Sequence, residues 1–421
     1  MKNMFRFAHL ADIHLGAHRE PIMRELEMKA FKLALDQCVQ RQVDFILVCG
    51  DLFHICIPDL SIVDEAVRKM REVLDNKIPI YAIYGSHDYS PNSTSIIDVL
   101  TSAGVTKKVV DWELVDDRIH LNFFKEPKTG AKLTGISARK AGLESRYYEI
   151  LDREALEEEE GFKVFAFHSA LDEFKPEYLS KMESFATSLL PRGFDYYAGG
   201  HVHDCGEHKL AGYEKVVFPG ALFPKDARDL ERTVRGQKRG FYIVSFDDKV
   251  RSLEFVEISV FDGIYLELDV SDKTATYAQK ELLAKAKALE VNGKLVLLKA
   301  SGQLSEGRTS DIDFQTIKNA LLSAGAIHIE LNRHGITSKE YQAITLSGEN
   351  VGEMENNLLK ENIGSTRTNE PKLKGEQGLE LSKELLRVLR AEPQSGEGKR
   401  DYESKMRSQG IGTLGLREAL G

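Results

Sequence analysis

Five times before residue 204, an apolar run stops and is followed within a few residues by histidine, usually with aspartate nearby. The stretches are "FRFAHLADIH" (Asp12, His14), "FILVCGDLFH" (Asp51, His54), "IYAIYGSHD" (Ser86, His87, Asp88), "KVFAFH" (His168) and "YYAGGHVH" (His201, His203). Apolar runs this short, bounded by glycine or aspartate, read as buried strands. Open α/β sheets bind their ligands beyond the carboxyl ends of the strands. The pattern therefore constrains the chain to a sheet whose strand ends converge on one polar crevice.

The segments between the runs fit that sheet. "RELEMKAFKLALDQCVQRQ" and "SIVDEAVRKMREVLDN" have helical spacing and separate the first three strands, as in successive β-α units. Later runs at "RIHLNFF", "AKLTGIS", "EKVVFPG", "RGFYIVSF" and "VRSLEFVEIS" add more strand than one sheet holds. The expected class is α/β, with two packed sheets and outer helices over residues 1–259. Alternating strands and helices then predict a small α/β module at 260–346. Residues 347–377 are polar, without a clear apolar period, and read as a flexible linker. Residues 378–421 read as a helical partner-binding segment, with Leu381, Leu385, Leu386 and Leu389 on one stripe.

Composition narrows the class. The 421 residues carry a formal charge of -9, so contact with nucleic acid has to come from local basic patches or bound cations. Four cysteines without a CxxC pair fit a reduced, cytoplasmic compartment. No apolar segment approaches the roughly 20 residues needed to span a bilayer, and the start of the chain does not read as a signal peptide. Ten of the 12 histidines precede Lys209, so the chemistry belongs to the first domain.

Mixed carboxylate and imidazole donors suit Mn²⁺, Fe or Zn²⁺ better than Mg²⁺ or Ca²⁺. In extended backbone a D-x-H or H-x-H pair puts both side chains on one face. A carboxylate such as Asp51 can bridge two ions about 3.5–4 Å apart, a spacing that suits a phosphate ester. His87 is placed to protonate a leaving oxygen, and Asp88 to orient it.

The order D-x-H, G-D, G-(S)-H-D, H, G-H-x-H resembles the calcineurin-like metallophosphoesterases, whose fold is a two-sheet sandwich flanked by helices. "LADIHLGAHR", "VCGDLFHICIPD", "YYAGGHVHD" and "VVFPGALFPKD" are similar to the SbcD-type nucleases of DNA double-strand-break repair. The resemblance implies a first Mn²⁺ on Asp12, His14, Asp51 and His203, and a second on Asp51, residue 86, His168 and His201. It implies His87 as the transition-state histidine and His54 as the substrate-orienting one. It also implies a capping domain at 260–346 and an SMC-like ABC-type ATPase bound by the C-terminal helices. Homodimerisation would use helices at 61–74 and 94–103, with Ile62, Val63, Ala66, Ile97 and Leu100 as candidate contacts. The family carries asparagine where this chain has Ser86.

The leading expectation is an Mn²⁺-dependent exonuclease and endonuclease acting at DNA ends, intracellular and nucleoid-associated. A small-molecule phosphodiesterase and a DNA-end tether weakened by Ser86 are the alternatives. Arg19, Lys225, Arg232, Arg235, Lys238 and Arg239 are candidate phosphate contacts.

Overall fold

The computed structural model describes residues 4–89, 94–139, 144–338, 351–365, 371–394 and 398–415. Five strands carry the clusters: β1 (Phe5–Leu10), β2 (Phe45–Cys49), β3 (Ile80–Ile83), β4 (Lys163–His168) and β5 (Tyr196–Gly200). The first sheet has six strands in the order Val250–Glu257, Gly240–Phe246, β1, β2, β3, Lys107–Lys108. The second also has six, Gly206–Leu210, Tyr213–Phe218, β5, β4, Lys132–Ile136, Phe124–Lys125. Neighbours β1, β2 and β3 run parallel, as do β4 and β5. In register, Leu10 faces Val48, Cys49 faces Ile83 and His168 faces Gly200, so the carboxyl ends lie level within each sheet.

Period-two alternation decides what each face packs on. Phe7 of β1 joins Phe45, Tyr81, Val164, Tyr196, Val244 and Phe246 in a core between the sheets. Ala8 and Leu10 face the other way, toward the helices α1 (Pro21–Gln40), α2 (Leu60–Asp75) and α3 (Ile96–Ser102). The second sheet's outer face, with Phe165, Phe167 and Tyr197, packs on Tyr148, Phe185 and Phe194. His9 points inward, and its Nδ1 lies 2.9 Å from the Tyr196 hydroxyl across the sheets. Burial lowers its pKa to about 3, so it is a neutral core group.

The module expected after residue 259 is present. Strands Gly263–Asp269, Leu295–Leu304 and His328–Ser338 form one sheet, and helices Ala275–Lys287 and Phe314–Ser323 cover it. It does not separate from what precedes it, because residues 1–337 make one compact unit. Leu295 and Leu297 belong to the same core cluster as residues of β1, α1 and α2. Glu231 accepts from Lys299 Nζ at 2.9 Å and from Tyr265 at 3.1 Å.

Residues 338–421 form the second unit. The segment read as a flexible linker contains a 15-residue helix, Val351–Ser365, followed by helices Gly375–Leu389 and Lys399–Thr413. Its apolar residues, Leu358, Leu359 and Ile363 among them, do recur at helical spacing. They are sparse among Glu, Asn and Lys, which hid the period. Arg390 pairs with Glu355 at 2.8 Å, tying the first and second of these helices together. Residues 347–350, 366–370 and 416–421 lie outside the described residues.

Phe246 sits at the centre of the inter-sheet core, with Phe162 stacked at 4.1 Å and Phe5, Phe7 and Phe45 within 6.4 Å. Phe246→Ala is expected to lower the unfolding free energy by roughly 3–5 kcal/mol. Denaturant titration of both proteins checks it, and a loss below about 1 kcal/mol contradicts this packing.

Candidate metal centre

Past their last paired residues, β1 and β2 continue side by side. The Asp12, His14 and Leu15 amides donate to the Gly50, Asp51 and Leu52 carbonyls at 3.1, 2.9 and 3.0 Å. This places the first two clusters in contact. The backbone is bent to do so: Asp12, His14, Asp51 and His201 all have positive φ, at 50°, 52°, 54° and 84°. Such conformations cost non-glycine residues free energy, and they concentrate where a side chain has to be aimed. Glycines allow the close approach. A Cβ on Gly85 would fall 2.1 Å from Asp51 Oδ1, and one on Gly200 would fall 2.1 Å from the Cys49 carbonyl.

Two buried carboxylates form the middle of the cluster. Asp51 Oδ2 lies 3.3 Å from His168 Nε2, 3.6 Å from His14 Nε2 and 3.5 Å from Ser86 Oγ. Asp12 Oδ1 has the Nε2 atoms of His14, His168 and His203 around it at 3.8, 3.9 and 3.8 Å. The Nε2 atoms of His14 and His203 face each other at 3.2 Å. Separations near 3.8 Å are too long for hydrogen bonds. Atoms that each sit about 2.0–2.2 Å from one ion lie roughly 3–4 Å from one another. His168 Nε2 is fully buried without a hydrogen-bond partner, as a nitrogen reserved for a cation would be. Ligating atoms of Asp12, His14 and His203, and of Asp12, Asp51 and His168, lie within 4.8 Å of one another. A third group, His14, His54 and His87, meets the same limit. The donor set and its geometry fit divalent ions.

The surroundings fix each donor. His168 Nδ1 donates to the Cys49 carbonyl at 2.7 Å, which leaves Nε2 facing the carboxylates. The His201 amide donates to Asp12 Oδ2 at 2.9 Å, and the His87 amide to Asp51 Oδ1 at 2.8 Å. His87 Nδ1 meets the His54 carbonyl at 2.5 Å, and the two rings stack at 4.9 Å. His54 Nδ1 is buried without a partner.

Electrostatics set the two carboxylates apart. Burial raises Asp12 above the usual carboxylate range against the pull of His168 and His203. Burial acts on Asp51 too, but His168, His14 and His87 hold it well below that range. Burial disfavours a charged His168, yet Asp51 and Asp12 lift its pKa to about 10. His201 is lowered to about 3, chiefly by burial and then by His168.

Sequence reading and structure differ on Asp88. His87 Nδ1 is held by the His54 carbonyl, whereas the Asp88 carboxylate accepts from the Asp51 amide at 2.7 Å and the Gly85 amide at 2.9 Å. It thus clamps the second and third loops together. Burial, then the Asp51 charge, pushes its pKa up to about 7. Arg239 also differs: it is buried, donating to the His203 carbonyl at 2.7 Å and the Asp229 carbonyl at 3.0 Å. It is an internal strut and not a surface contact for phosphate. Among the other basic candidates, Lys225 is half-buried, and its charge bears on His14, His54 and His201. Arg19 is exposed; Arg232, Arg235 and Lys238 pair with Asp204, Glu231 and Glu257.

Two residues that sequence reading missed support the centre. Asp229 Oδ2 lies 2.6 Å from His203 Nδ1 and orients that ring. Burial would raise Asp229, but the His203 bond and the Arg239 charge hold it down to about 2. Glu27, on α1, accepts from the Gly16 and Ala17 amides at 2.7 and 3.1 Å and so anchors the turn after His14. Neither stands within a quoted motif, although Asp229 follows "VVFPGALFPKD" by three residues, and only the fold brings them to the centre.

Residues 5–205 match the calcineurin-like phosphoesterase family. The chain is similar to the DNA double-strand break repair protein Mre11 of Archaeoglobus fulgidus, 26% identical over 335 residues, covering 75% of this chain and 73% of that one. It is 29% identical over 269 residues to Mre11 of Methanopyrus kandleri, covering 60% and 57% of the two chains. Against Mre11 of Thermoplasma acidophilum it is 26% identical over 323 residues, covering 75% and 81%.

Burial pushes the Glu27 carboxyl from 4.5 up to about 7, against its two amide donors. The folded chain therefore holds a proton there between about pH 4.5 and 7 that the unfolded chain has released. Stability from this group is present at low pH and declines as pH rises through that window, by an order of 3 kcal/mol. Unfolding free energies of wild type and Glu27→Gln at pH 5 and 8 measure it. The wild type should lose more than the variant over that range; parallel curves contradict the assignment.

Proposed function

Proceeding from the calcineurin-like phosphoesterase match over residues 5–205, we propose that this metal-dependent phosphodiesterase is a nuclease that uses Mn²⁺ to process DNA double-strand ends. The observation that carries the reading is the pair of buried carboxylates ringed by imidazole nitrogens at 3.3–3.9 Å. Asp12, His14, Asp51 and His203 would hold one ion; Asp51, Ser86, His168 and His201 would hold the other. Bound there, the ions acidify water and neutralise the phosphodiester charge. The names of the archaeal relatives support DNA ends as the substrate.

The chain's own residues have separable tasks. With Nδ1 committed to the His54 carbonyl, His87 keeps Nε2 for the substrate, where it hands a proton to the leaving oxygen. His54 stacks on that ring and orients the substrate. Ser86 presents a hydroxyl to Asp51 Oδ2, in place of a longer amide arm, and would be a donor to the second ion. Lys225 and Arg19 supply positive charge for phosphates beside the centre. A DNA-bound complex would include an SMC-like ABC-type ATPase on the helices of 378–421 and a second copy of the chain. Of the helix residues expected at the dimer interface, Ala66, Ile97 and Leu100 pack on their own sheet. Leu60 and Val99, 80% and 51% exposed, are better placed for it. The setting is an intracellular one, with the chromosome at hand.

Purified chain supplied with Mn²⁺ is expected to degrade linear duplex and single-stranded DNA in preference to cyclic nucleotides. His87→Ala should slow cleavage by about 10²–10⁴-fold while leaving bound manganese unchanged. DNA left intact, or a His87→Ala protein as fast as wild type, contradicts the reading.

A further inference from the structure

A second cavity, distinct from the metal centre, opens beside the loop that carries Ser86 and His87. Its volume is about 370 Å³, within the range of about 300–1,000 Å³ that small-molecule sites occupy. Four of its lining residues are aromatic, Tyr84, Tyr89, Trp112 and Tyr147, and two are cationic, Lys108 and Arg139. Tyr84 directly precedes Gly85 and Ser86. Its amide bonds Ser137 Oγ at 3.1 Å, and its carbonyl accepts from Ala138 at 3.0 Å, so the cavity wall is fixed to the strand end that bears the third loop.

The polar groups in this cavity are arranged around ring faces. The Arg139 guanidinium lies 5.8 Å from the Tyr89 ring centre and 5.3 Å from that of Tyr147. Lys108 Nζ lies 4.8 Å from the Tyr84 ring centre. Among the described residues no carboxylate forms an ion pair with either cation. Asp98, also on the wall, is occupied by the Tyr84 hydroxyl and the Ser95 amide. Trp112 is 41% exposed and leans on Tyr147 with ring centres 6.1 Å apart. Asp98 also feels the charge of Lys108, but the wall holds two cations to that one carboxylate, and an open indole beside them suits a partner that is both flat and anionic.

We propose that this pocket takes an unpaired nucleobase of the substrate strand, stacked on Trp112 and Tyr147, with flanking phosphates on Arg139 and Lys108. Stacking on aromatic side chains with nearby cations is how single strands are held without regard to sequence. The inference rests on the nuclease reading and deepens it: a strand end would be separated from its complement and anchored next to the metal centre. Duplex DNA, whose bases are stacked and paired, cannot fill the pocket without opening.

Trp112 is the chain's single tryptophan, so its fluorescence reports on the pocket directly. The full chain is titrated with a short oligothymidylate and with an abasic oligomer of equal length and charge, both protected against cleavage by phosphorothioate links. The oligothymidylate should quench Trp112 emission and bind about tenfold or more tightly than the abasic strand. Tyr147→Ala should bring the two affinities together, with Tyr147→Phe restoring the difference, and Arg139→Gln should weaken both strands alike. Equal affinities in wild type, a base preference untouched in the Tyr147→Ala protein, or an Arg139→Gln protein that binds both strands as tightly as wild type, overturns the proposal. Hydrolysis of bis(4-nitrophenyl) phosphate by the wild-type chain with Mn²⁺ is followed in parallel. Hydrolysis without base preference defeats the pocket alone, and base preference without hydrolysis defeats the phosphodiesterase mechanism alone.

Discussion

Asp12 and Asp51 are two carboxylates buried side by side at the ends of adjacent parallel strands, and the surrounding structure is organised by the problem they create. Removing one ionised carboxylate from water is costly, and a second beside it adds repulsion. Backbone amides of His201 and His87 and the imidazoles of His14, His168 and His203 offset part of that cost. They do not satisfy it. The nitrogens stand off by 3.3–3.9 Å, and His168 Nε2 has no hydrogen-bond partner. A cluster built this way is stable in proportion to the positive charge placed among its members, so folding and metal affinity are linked.

Holding the donors in place requires concessions in the backbone. Four residues of the cluster adopt left-handed conformations, and glycines at 85 and 200 stand where no Cβ fits. Asp88, by accepting from the Asp51 and Gly85 amides, locks two loops at the cost of a third buried carboxyl. Glu27 repeats that device on the far side of His14, and Asp229 orients the His203 ring. The rigid part is the inter-sheet core of Phe7, Phe45, Phe162, Tyr196 and Phe246, which sets the two groups of strand ends against each other. Strain at the rim is tolerated because that core determines where the strands end.

Much of this was legible in the residues because strand ends are local signals. Each cluster follows its own apolar run, so Asp12, His14, Asp51, His87, His168, His201 and His203 could be named without knowing the fold. The two sheets and the α/β module were legible for the same reason. What escaped was whatever depends on contacts between distant segments. Asp229 reaches His203 from a helix, and Arg239 looked like a surface cation until its hydrogen bonds turned it inward. Asp88 was misread because a carboxylate that accepts backbone amides looks, in sequence, like one that orients its neighbour. The helix Val351–Ser365 was hidden by sparse apolar residues, and the aromatic cavity by lining residues scattered from Tyr84 to Tyr147.

The central claim is that these donors form one centre sharing Asp51 between two ions, and metal stoichiometry tests it most directly. Manganese per chain is measured by mass spectrometry of the metal after equilibration and removal of free ion, for wild type and for Asp51→Asn, with circular dichroism confirming that both are folded. The account predicts about two ions per wild-type chain and a loss of at least one in Asp51→Asn. A wild-type chain that retains none, or an Asp51→Asn chain that retains as many as wild type, would contradict it.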